Sequence, residues 1–78
     1  MEEYVAKTKS GSFYELQKDR GKWYIIAEGE RCEIISFAGF DPASVQFVKD
    51  VKEKQIFYGS KGQVKHTSSV AVCYQRVA

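Results

Sequence analysis

Three side chains in this sequence are of the types from which a nucleophile and its base are made: Cys32, Cys73 and the single histidine, His66. A thiolate beside an imidazole can attack a carbonyl, provided that a third group orients the base and a pocket holds the substrate. Cys32 falls on the apolar side of an alternating stretch, where a free cysteine acts as a small hydrophobe. Cys73 alternates with Val72 and Tyr74 and reads the same way. No catalytic residue is assigned. A zinc site would need about four ligands at short spacing, as in paired C-x2-C units, and two distant cysteines with one histidine do not supply them. No metal and no cofactor is expected. Glu28, Glu30 and Glu33 cluster around a turn and read as a solubilising rim rather than as an acid–base pair.

Charge is distributed unevenly. All ten acids lie in the first 53 residues, which carry eight basic side chains and a balance of −2. Residues 54–78 hold Lys54, Lys61, Lys65 and Arg76 without an acid, a balance of +4, and include His66. Such asymmetry points toward a polyanion. Inside this third, "FYGSKGQVKHTSS" offers backbone N–H groups at Gly59 and Gly62 that could cradle a phosphate, and aromatic rings beside cations, as single-stranded nucleic acid requires. The spacing is not that of a P-loop, and "IFYGSKG" does not match the aromatic signature of RNA-recognition domains. The candidates for nucleic-acid contact are Phe57, Tyr58, Lys61, Lys65, His66 and Arg76. A solvated loop is the plainer reading of the same residues.

The elements that must position these groups come next. Seventy-eight residues, 44% hydrophobic and 28% charged, have the composition of one small globular domain spanning 1–78. "SFYELQKD", "KWYIIAE" and "RCEIISF" are β-branched and aromatic runs separated by Arg20-Gly21 and Gly29-Glu30, which signals a meander of hairpins. "EYVAKT" adds an earlier strand; "KQIFYG" and "SVAVCYQRV" add later ones. Two-residue loops place Leu16 opposite Ile25 and Ala27 opposite Cys32. One face then collects Tyr14, Leu16, Trp23, Ile25, Ala27, Cys32 and Ile34, a nearly pure core. "FDPASVQFVKDVKEK" carries an N-cap, Asp41, and a proline at the first helical position, with Ala43, Phe47, Val48 and Val51 at helical spacing. The spacing predicts a helix over 41–54 that covers the core face. The expected fold is therefore α+β: a mostly antiparallel sheet of five to six strands with one helix packed on one face.

One helix covers one face only. On the other, Phe13, Tyr24, Ile26, Ile35 and Phe37 are left among Glu15, Gln17, Glu28 and Glu33. An apolar patch of several hundred Å² marks an interface unless another segment folds over it. The expected function is that of a small binding protein without enzymatic activity, a modulator or inhibitor that docks on a protein or nucleoprotein through this face. A second copy of the chain is one admissible partner, and direct single-stranded nucleic-acid binding through the basic third is the alternative. No stretch approaches the roughly 18 apolar residues of a membrane span, and "MEEYVAKTKS" opens on acids rather than on an apolar leader. A cytoplasmic protein with no membrane contact is expected.

Overall fold

The computed structural model describes residues 1–39, 42, 54–60 and 62–76. Two tight turns set its first half. Type I′ hairpin turns need positive φ at both central residues, because only then does the turn follow the twist of the strands. Arg20 and Gly21 meet that need with φ of 54° and 80°, and Glu28 and Gly29 with 52° and 80°. Glycine takes the second position without steric cost. The β3–β4 loop is therefore Glu28-Gly29, one residue earlier than Gly29-Glu30. Ala27 pairs with Glu30, and Ile25 with Cys32, while Leu16 stays opposite Ile25. The shift moves the pairing by two residues, so every side chain keeps its face.

Seven strands follow: β1 (Glu2–Thr8), β2 (Phe13–Asp19), β3 (Lys22–Ala27), β4 (Glu30–Ala38), β5 (Gln55–Ser60), β6 (Gln63–His66) and β7 (Val70–Gln75). They form one sheet in the order β6-β5-β4-β3-β2-β1-β7, with every neighbouring pair antiparallel. Six strands are a meander, and the seventh crosses to lie beside the first. The α+β architecture expected from the sequence is corrected: among the described residues the fold is all β, with seven strands rather than five or six and no helix. The predicted helix over 41–54 falls almost wholly outside the described residues. Only Pro42, buried in a turn, and Lys54, just ahead of β5, belong to them.

Among the described residues, other strands of the same sheet pack on the core face. Ile56 from β5 and Val70 and Cys73 from β7 join Tyr4, Ala6, Leu16, Ile25, Ala27, Cys32, Ile34 and Tyr58 in one buried cluster. Trp23 bridges it, its ring centroid 4.8 Å from Tyr4 and 5.2 Å from Phe37. The sheet must coil strongly for this, and residues 67–70 hold one end shut. Thr67 N–H donates to the Ile56 carbonyl at 3.0 Å, Val70 N–H to that of Lys54 at 2.6 Å and Lys9 N–H to that of Ser69 at 2.8 Å. Ile56 N–H donates to Thr67 Oγ1 at 3.1 Å, so the buried Thr67 stands in for a ladder partner. The result is a half-closed barrel in which no buried side-chain nitrogen or oxygen of the described residues lacks a partner.

One irregularity changes what each face carries. On β4, Ile34 pairs with Tyr58 and Ser36 with Phe57, so Ile35 is an extra residue without a partner. Such a bulge exchanges the faces of the residues beyond it. Phe37, expected on the outer face with Ile35, is turned inward and packs against the core.

Candidate binding surface

Alternation along the strands builds the convex outer face. β2 brings Phe13 and Glu15 to it, β3 Tyr24 and Ile26, β4 Arg31, Glu33 and Ile35, β5 Phe57 and Gly59, β6 Val64 and His66, and β7 Tyr74. Four large apolar side chains on this face are open to solvent: Phe13 (64% exposed), Ile35 (58%), Val64 (67%) and Tyr74 (46%). Tyr24 and Ile26 are half-buried. Four of the five residues assigned from the sequence to a docking face thus remain on it, and Phe37 does not.

The apolar groups lie in two places with charge between them. Phe13 and Tyr74 flank the buried Val5 and line an open hollow with Glu15 and Arg76. Lys7 Nζ sits 5.4 Å from the Phe13 ring centroid, and Arg76 reaches Glu15 at 3.9 Å. At the other side of the sheet Ile35 and Val64 flank Gly59. A Cβ built on Gly59 would meet Ile35 Cδ1 at 3.2 Å and the Gln63 carbonyl oxygen at 2.5 Å, so the isoleucine lies over the space that glycine leaves. Between these regions the Arg31 guanidinium stacks 3.8 Å from the Tyr24 centroid and meets Asp19 at 3.5 Å. Arg20 and Lys22 complete a polar hollow of about 670 Å³ around that pair. Stacking and ion pairing hold the arginine in one orientation, although exposure keeps the ion pair itself weak.

The nucleic-acid candidates are dispersed. Phe57 lies on the outer face 5.6 Å from the His66 ring. Tyr58 is a core residue whose phenol is pushed above its usual range, first by burial and then by Tyr14, Glu28 and Cys32. Lys65 pairs with Tyr58 and so shares its side of the sheet, where it lines a hollow of about 190 Å³ together with Glu28 and Glu30. Acids distant in sequence therefore stand near this lysine. Arg76 lies just past β7, where its N–H donates to the Glu3 carbonyl at 2.8 Å, strands away from β6 and bound to an acid. Lys61 falls outside the described residues. Among the described candidates, Phe57 and His66 are brought together on the outer face and Tyr58 and Lys65 on the other; Arg76 joins neither pair.

The cysteine–histidine pairing fails on geometry as well. Cys32 and Cys73 are buried free thiols on the core face, whereas His66 is on the outer face with Nδ1 at 2.9 Å from the Thr67 carbonyl oxygen, a bond the ring donates when Nδ1 carries the proton. Burial pushes the Cys73 thiol from its ordinary 9.0 up to about 11, against formation of the reactive thiolate. The described residues contain no group of three or more His, Cys, Asp or Glu able to hold a metal ion, and no helix among them is long and apolar enough to cross a membrane. Sequence reasoning missed Val64 and Tyr74 as exposed apolar groups. Their alternation in "QVKH" and "VCYQ" was a signal for both, once each segment is read as a strand. Comparison of the chain with protein-family models, with curated proteins and with solved structures gives no match.

Proposed function

We propose that this chain is a small non-enzymatic binding protein, cytoplasmic, that docks on a protein or nucleoprotein partner through the outer face of its sheet and modulates or inhibits that partner. The observation that carries the reading is the exposure of Phe13, Ile35, Val64 and Tyr74 on a single face. Large apolar groups rimmed by charge are the composition of an interface, and an arginine and a tyrosine held rigid between them are residue types that dominate binding energy. Free, unbridged cysteines support a reducing compartment. In affinity capture from the protein's own cells, the partner should be retained by the parent chain and lost by a Phe13→Glu, Ile35→Glu double variant of unchanged melting temperature. Retention of the same partner by the double variant would overturn the reading.

The Phe57–His66 pair favours a second reading, single-stranded nucleic acid laid across β5 and β6. Salt distinguishes the two, because phosphate contacts release counterions and weaken steeply as salt rises, whereas an apolar interface hardly responds.

A further inference from the structure

We propose that the free edge of β6 is a self-pairing surface, through which two copies of this chain join antiparallel about a two-fold axis at Val64. This site is the main-chain rim of the sheet; it shares Val64 and Ile35 with the outer face, but it is carried by the strand edge and does not rest on the docking proposed above.

The hydrogen-bond phase of β6 comes first. In an antiparallel pair, closely bonded residue pairs alternate with unbonded ones. Thr67 N–H donates to the Ile56 carbonyl at 3.0 Å, which fixes Ile56 and Thr67 as a bonded pair. Counting back by twos along the register makes Tyr58 with Lys65, and Ser60 with Gln63, bonded as well. Val64 and His66 then direct their N–H and C=O groups away from β5. All four residues of β6 are exposed, and no strand among the described residues pairs with that edge.

The opposite rim of the sheet is different. Arg76 N–H donates to the Glu3 carbonyl, and the same count along β7 directs the main chain of Cys73 away from β1. Cys73 is 0% exposed, so that edge is shut at its middle. On β7 only Gln75 at its end is both turned outward and exposed, so of the two outer strands β6 carries the longer accessible ladder.

Self-complementarity identifies the occupant. Residues directly opposite in an antiparallel pair point to the same face, so a symmetric pairing of β6 must centre on Val64 or on Lys65. Centred on Lys65, two ammonium groups face each other, a repulsive pairing. Centred on Val64, the two valines exchange both main-chain bonds and bring their side chains together on the outer face, while each Lys65 lies opposite the second copy's neutral Gln63. Gly59 has no side chain and Ile35 leans over it, so the apolar strip Ile35–Val64 of one copy runs on into that of the other. The strand contains no acid to attract a basic partner and no proline to block pairing.

Sedimentation of the full chain over a micromolar to millimolar series tests this. The mass should rise with concentration from the 8.9 kDa of one chain to twice that value. Val64→Pro removes only an N–H that β5 does not use, and proline is tolerated at such edge positions. It should weaken association at least tenfold with an unchanged circular dichroism spectrum. Val64→Lys sets like charges across the axis and should do the same, carrying the test if the proline variant does not fold. Phe13→Glu, on the outer face, should dimerise as the parent does. A parent that stays at one-chain mass throughout, or edge variants that associate like the parent while Phe13→Glu does not, would overturn the proposal.

Discussion

Burial sets what single side chains can do here. Ile25, with no exposed surface, lies at the middle of the core, and Ile25→Ala should cost about 2–5 kcal/mol through lost burial and the cavity left behind. Urea unfolding measures it, and a midpoint close to the parent's would mean that the core is elsewhere. Glu28 bears a different load: its φ of 52° is a left-handed conformation that costs an ordinary L-residue roughly 1–2 kcal/mol. Asparagine tolerates that conformation and is favoured before glycine in this turn, so Glu28→Asn should add about 0.5–1 kcal/mol, read from the same unfolding curves. Cys73 makes stability depend on alkali. Its folded value of about 11 lies above the ordinary 9.0, so the folded chain holds a proton that the unfolded chain releases. The stabilisation is complete below pH 9 and is lost as pH rises toward 11. Tyr58, raised as well, adds a loss of the same sign at higher pH. Cys73→Ala should flatten the decline of melting temperature across the thiol's window, and an unchanged slope would contradict the burial of that thiol.

At the scale of elements, the bulge on β4 decides which aromatic is structural. Phe37→Ala should cost more than about 2 kcal/mol, because the ring packs edge-on to Trp23. Ile35→Ala should stay within about 1 kcal/mol, since more than half of that side chain is already wet. Equal losses would mean that β4 runs without the bulge. This is also where the sequence ceased to be legible. Alternation assigned Leu16, Ile25, Cys32 and Ile34 to the core correctly, because a period of two survives an error of two in register. It misplaced Phe37 because neither glycine nor proline marks the bulge, which arises from the fit of β4 to β5. The turn at Glu28-Gly29 was readable from the neighbouring Arg20-Gly21, as both put glycine second. The separation of Lys65 and Tyr58 from Phe57 and His66, and of Arg76 from both pairs, was not, because closeness in sequence says nothing of which side of a strand or which edge of a sheet a residue occupies.

For the whole molecule, the strand order carries the long-range consequence. Five of the six strand pairings join elements consecutive in the chain, whereas β1 finds β7, bringing Ala6 opposite Cys73. Hairpins close quickly, and a contact between distant segments must first meet the entropy of a long loop. A chain cut before Val70 should retain the hairpin pairings but lose Val70 and Cys73 from the core, and it should aggregate at concentrations where the parent is soluble. Light scattering would reveal this, and a clear, cooperatively folding truncation would refute it. The same order has a temporal meaning. During synthesis β1 leaves the ribosome well before β7, and its outer edge waits unpaired until residues 70–75 have followed. The nascent protein therefore carries an open strand edge that invites misassociation, and translation speed from β1 through β7 sets how long that lasts.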